Sequence, residues 1–162
     1  MAQGLLIVWH SRTGASRAMA HAAHKGAMTE LGSRLSKAEQ TSPADVLGSA
    51  GYLFCFPENL GSMSGEMKAF FDRTYYPLLG QLEGRPYASI VAAGSGGHGA
   101  QLQLDRIVTG WRLRRVVEPM IHCTQAQAPE DILAPKTVPD KVLQACHSLG
   151  QGIAAGISLG VF

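Results

Sequence analysis

Short runs of apolar residues alternate with longer segments of helical periodicity along this chain, and that alternation limits the folds open to it. Leu5-Leu6-Ile7-Val8-Trp9 is continuous and apolar, the pattern of a strand covered on both faces. Gly51 to Phe56 and Tyr87 to Ala93 repeat the pattern, with Pro57 expected to stop the first of them. Arg34 to Ala38 is a weaker strand. Val116 to His122 is a last one, placed at an edge because it holds Pro119. Between them lie helical stretches. One follows the turn at residues 11–16 and is expected to run to about Leu31. Ser42 caps a short helix that opens on Pro43 and ends at Leu47. A third starts at Ser64, places Met67, Phe70, Phe71 and Tyr75 on one side, and is ended by Pro77. Gln101 to Arg112 follows. After a loop holding Pro129 and Pro135, a closing helix begins near Pro139-Asp140, with Val142, Ala145, Cys146, Leu149 and Ile153 on one face. Five strands alternating with helices predict an α/β three-layer sandwich with a five-stranded parallel sheet.

Composition narrows the function. The 162 residues fit one domain, residues 1–162. With 46% hydrophobic and 16% charged residues, the chain can bury a core and is not disordered. A formal charge of +2 gives no basic surface for nucleic acid. Cys55, Cys123 and Cys146 form no CxxC pair and read as reduced thiols, which places the chain in the cytoplasm. The start, MAQGLLIVWHSRTG, lacks a basic n-region and is not expected to be a signal peptide. The apolar stretch from Gly152 to Phe162 is far shorter than the ~20 residues of a membrane span, so no membrane partner is expected.

Ligands of open parallel sheets sit at the carboxyl ends of the strands. Three loops leave such ends here, at residues 10–16, 57–63 and 94–99, and all are rich in small and polar residues. The first joins a buried strand to a helix start and carries hydroxyls at Ser11, Thr13 and Ser16 around Gly14. Backbone N–H groups at a helix start, helped by the helix dipole, favour a phosphate there. Arg12 and Arg17 either add charge to it or face solvent. A plain capped turn is the alternative. No GxxxxGK[ST] is present, which argues against a P-loop nucleotidase. Gly94, Gly96 and Gly99 match GxGxxG, but after the fourth strand, and read as a loop that approaches a flat ligand closely. His21 and His24 are one helical turn apart with no third ligand at a telling spacing, so no metal is expected. Cys55 reads as a core residue.

Ser11-Arg12-Thr13-Gly14-Ala15-Ser16 fits [ST]-x-T-G-x-[ST], and so resembles the phosphate loop of flavodoxins. PENLGSMSGEMKAFFDR, from Pro57 to Arg73, resembles a segment of the flavodoxin-like NAD(P)H-dependent FMN and quinone reductases. Ala93 to Gly99 resembles their third flavin loop. The resemblance implies a flavodoxin-like sheet of strand order 2-1-3-4-5 and FMN as cofactor. It implies that Ser11, Arg12, Thr13, Gly14, Ala15 and Ser16 hold the FMN phosphate. Pro57, Glu58, Asn59, Leu60, Gly61, Ser62 and Met63 would lie along the ring system, and Gly94, Ser95, Gly96, Gly97 and His98 would close its other side. It also implies NAD(P)H as electron donor, a small-molecule acceptor such as a quinone or free flavin, and a homodimer.

An electron carrier that docks on partner proteins is the alternative to a reductase. Carriers of the flavodoxin kind resemble acidic proteins with aromatic residues about the ring. This chain has 14 basic and 12 acidic side chains, and no aromatic in 57–63 or 94–99. Both features favour the reductase. Backbone N–H groups near Gly61 and Gly96–Gly97 are expected to stabilise the charge of reduced flavin. His98 is the candidate to touch the acceptor. Glu58 either bonds the flavin edge or is solvated. A third reading, a regulatory domain that no longer binds FMN, is opposed by the intact hydroxyl set at 11–16.

Overall fold

The computed structural model describes residues 3–30 and 32–162. Its elements in chain order are β1 (Leu5–Trp9), α1 (Ala15–Ala27), β2 (Ser33–Lys37), α2 (Pro43–Leu47), β3 (Gly51–Asn59), β4 (Ser62–Met63) and α3 (Gly65–Leu78). There follow β5 (Pro86–Ala93), α4 (His98–Gly110), β6 (Arg114–Arg115), β7 (Met120–Cys123), α5 (Pro129–Leu133) and α6 (Asp140–Ser158). A 3-10 turn at Ala38–Gln40 follows β2. The sheet runs β2-β1-β3-β5, with β6 and β7 in succession along the outer edge of β5, all parallel. That is the flavodoxin-like order 2-1-3-4-5, with the fifth position filled by two pieces.

Strand alternation splits the core into two layers. Leu6, Val8, Phe54 and Phe56 point to one face and pack with Met67, Phe70 and Phe71 of α3 and Leu104 and Val108 of α4. Leu5, Ile7, Leu53 and Cys55 point to the other and pack with Met19 and Ala23 of α1 and Cys146 and Ile153 of α6. On that second face α1 and α6 lie backbone to backbone. Gly26 faces the His147 carbonyl and Gly150 faces the Ala23 carbonyl, each so closely that a Cβ would collide with the oxygen.

Several expectations need correction. Leu31 lies outside the described residues, and α1 already ends at Ala27. Pro57 does not stop its strand, because β3 continues to Asn59 and Pro57 pairs with Ala92. The β1 ladder has ended at Cys55, so the missing N–H of Pro57 breaks no bond on that side. The expected loop 57–63 is instead a hairpin, with Glu58 opposite Met63 and Asn59 opposite Ser62. Its two turn residues, Leu60 and Gly61, both have positive φ, 54° and 75°. Pro77 sits inside the last turn of α3, which ends one residue later. Of the expected strand 116–122 only the end is strand, as β7; residues 116–119 are irregular, and β6 lies before them. Helix α4 begins at His98, not Gln101, so the Gly-rich loop shrinks to residues 94–97. On α6, Ala145 is exposed while Gly150, Ala154 and Gly156 join the buried side.

Candidate functional site

A cleft of about 350 Å³ opens at the carboxyl ends of β1, β3 and β5, a volume within the usual range for small-molecule sites. Of the residues expected in the first loop, Ser11, Arg12, Thr13, Ala15 and Ser16 line it. Gly14 lies just behind them as the N-cap of α1, with φ at 105°, a conformation that glycine adopts without steric cost. Its N–H donates to Ser11 Oγ at 3.0 Å. No side chain caps α1, so its first N–H groups lack the usual partner. The Ser16 hydroxyl is buried, and it alone among the buried side-chain polar atoms of the described residues has no hydrogen-bond partner. Arg12 is exposed, and no carboxylate among the described residues pairs with it. An unpartnered hydroxyl, an uncapped helix start and a free guanidinium on one wall are donors awaiting an anion. Cys55 supports this wall from below. Its thiol, pushed up in pKa by burial, donates to the Ser16 carbonyl at 3.2 Å.

The second wall comes from the hairpin. Pro57, Glu58, Asn59 and Leu60 line the cleft, whereas Gly61, Ser62 and Met63 do not. Leu60 holds a left-handed backbone, unfavourable for a branched side chain, and is fully exposed at the cleft rim. Gly94, Ser95 and Gly96 form the third wall; Gly97 and His98 lie outside it. His98 is the exposed first residue of α4. Gly97 does not offer its N–H to the cleft, because that group donates to Glu58 Oε1 at 2.8 Å. Glu58 Oε2 accepts from Ala100 N at 3.0 Å. The half-buried carboxylate thus caps α4 while still lining the cleft.

Sequence reasoning missed a fourth wall. Thr124, Ala126, Ile132 and Lys136 come from the segment after β7. Lys136 N donates to the Thr13 carbonyl at 2.8 Å. Its Nζ donates to the carbonyls of Asp131, Ile132 and Ala134 at 2.6 to 3.0 Å. One residue thus closes off the C-terminal end of α5 and straps that segment to the first loop. Only the Pro-rich composition of 129–135 marked this stretch, and that signals a loop rather than a wall. His21 and His24 are engaged elsewhere, His21 edge-on to Trp9 and His24 Nδ1 at 3.0 Å from Ser33 Oγ. Burial lowers the pKa of both. Among the described residues no three His, Cys, Asp or Glu side chains converge on one point. No helix there is long and apolar enough to cross a membrane.

Comparison with known proteins gives the same fold. Solved structures with the same fold include a flavodoxin from the domain Archaea, with a TM-score of 0.76 at 17% identity over 95% of this chain and 98% of that one. The WrbA-like flavodoxin of Agrobacterium tumefaciens superposes with a TM-score of 0.76 at 15% identity, over 98% and 99%. A curated flavodoxin of Aquifex aeolicus (strain VF5) is 27% identical over 97% of this chain and 88% of its own length. Residues 38–127 match the family described as NADPH-dependent FMN reductase. That match spans the second and third walls and more than half of the chain, so this protein is a flavodoxin-like member of the NADPH-dependent FMN reductase family.

Proposed function

We propose that the cleft binds FMN and that the protein passes electrons from NADPH to a small diffusible acceptor. The unpartnered, buried Ser16 hydroxyl carries this reading, because it stands beside an uncapped helix start where a phosphate would satisfy both. Ser11, Thr13 and Ser16 would donate to the phosphate, with Arg12 adding charge. Bound there, FMN supplies the capacity to take up a hydride and hand electrons on. The protein's part is placement. Pro57 to Leu60 and Gly94 to Gly96 would lie along the flat ring, and the segment ending at Lys136 would border the phosphate side. Neither of those wall segments carries an aromatic side chain, which leaves a ring face free for a nicotinamide and then an acceptor to stack.

The Aquifex relative, named flavodoxin and similar over nearly the whole chain, supports a second reading as an electron carrier. Anaerobic mixing of the FMN-saturated protein with NADPH, and separately with NADH, separates the two. The reductase reading expects rapid loss of the visible flavin absorption, faster with NADPH, and its return on adding a quinone. A flavin that stays yellow with both donors rejects the reductase and favours the carrier.

A further inference from the structure

Glu58 spends both carboxylate oxygens on the start of α4, at 2.8 Å from Gly97 N and 3.0 Å from Ala100 N. The third loop is built closely around it, since a Cβ on Gly96 would lie 2.9 Å from Glu58 Oε1. A second bracket ties the same two elements. Gln103 Oε1 on α4 accepts from Met63 N at 2.8 Å and from Ser62 Oγ at 2.9 Å. The hairpin and α4 are thus joined twice, once by an anion and once by a neutral amide. Glu58 alone of the two lines the cleft.

We propose that Glu58 is a positioning residue that sets the electron affinity of the bound flavin, by outweighing the field of the α4 N-terminus beside the cleft. This rests on the FMN reading above. A helix N-terminus behaves as roughly +0.5 charge, which would favour a ligand that gains negative charge. With the Glu58 carboxylate seated on it, the local sum changes sign, to about −0.5 by the same reckoning. Reduction by two electrons and one proton lowers the ring's net charge by one. The clamp therefore holds the reduced form back relative to the oxidised one and keeps the cofactor a strong donor to acceptors. It also withdraws the Gly97 N–H from any contact with the ring.

Three variants test this by equilibrium redox titration, FMN titration and amide exchange. Glu58→Gln keeps an acceptor oxygen and removes the charge. Reduced FMN is expected to bind at least tenfold more tightly relative to oxidised FMN than in the parent, a rise of about 30 mV for a two-electron couple. Gln103→Ala loosens the same junction without touching charge. It is expected to weaken oxidised and reduced FMN alike and leave the potential in place. Glu58→Ala, studied without FMN, is expected to speed amide exchange at Gly97 and Ala100 at least tenfold. A potential unchanged in Glu58→Gln, or raised equally in Gln103→Ala, overturns the electrostatic role. Unchanged exchange in Glu58→Ala overturns the clamp itself. Should the parent protein take up no FMN, the binding reading fails and the role in electron affinity fails with it, while the exchange measurement still decides the clamp.

Discussion

Ser16→Ala is expected to yield a protein that is more stable without FMN and binds FMN less tightly. The two effects have one cause. The Ser16 hydroxyl is buried with no partner, and an unsatisfied buried polar group costs about 1–3 kcal/mol. Removing it recovers part of that cost, so the FMN-free melting temperature should rise by roughly 2–4 °C per kcal/mol recovered. A hydrogen bond to a charged phosphate is worth about 1.5–3 kcal/mol, and its loss should weaken FMN binding by roughly 10- to 150-fold. Calorimetry of the FMN-free protein and a fluorescence titration with FMN read the two effects separately. Equal FMN affinity in variant and parent would remove Ser16 from the phosphate's ligands.

Gly150→Ala is expected to be among the most damaging small changes to the fold. In an exposed helix interior, Ala would stabilise by about 1 kcal/mol over Gly. Here the new methyl meets the Ala23 carbonyl oxygen across the α1–α6 contact, and backbone cannot rotate out of the way. Overpacking of this kind costs about 3 kcal/mol or more when two helices must part. For a chain of this size the melting temperature should fall by roughly 6–12 °C. Gly152→Ala on the same helix is the internal comparison. A Cβ there meets nothing within 4 Å, so that variant should gain stability by about the propensity difference. The opposite signs, two residues apart, would show that α1 is held against α6 by a glycine contact. The cleft depends on this contact, because the first turn of α1 forms part of its first wall. If Gly150→Ala were as stable as Gly152→Ala, the close approach of the two helices would be wrong.

Local signals in the sequence were readable where local forces decide the structure. The five-residue run at Leu5–Trp9 is β1 without adjustment, since a doubly covered strand needs only continuous apolar residues. Ser42-Pro43 opens α2 with a capping box closed by Asp45, a device contained in four residues. The first and third loops at the strand ends were legible for the same reason, the third shortened to residues 94–97. The hairpin β3–β4 was not, because Pro57 reads as a stop unless it is known that β1 ends beside it. Its turn also uses Leu60-Gly61 in place of the Asn-Gly that signals such a turn. Glu58 was noticed as a lining residue, but its hold on α4 was not. Its partners, Gly97 and Ala100, are 39 and 42 residues away, and only tertiary structure brings an unremarkable Glu onto a helix start. Lys136 was missed outright. It reaches the Thr13 carbonyl through its own backbone N–H, an interaction that any residue type except proline could make.

The central claim is that the first loop is a phosphate site within a flavin cleft, and a paired fluorescence titration tests it most directly. FMN and riboflavin share the same ring and differ by the phosphate. The account predicts that FMN titrates to one equivalent per chain and that riboflavin binds at least a hundredfold more weakly, about 2.7 kcal/mol. Equal affinity for the two, or no saturable binding of FMN, would contradict it.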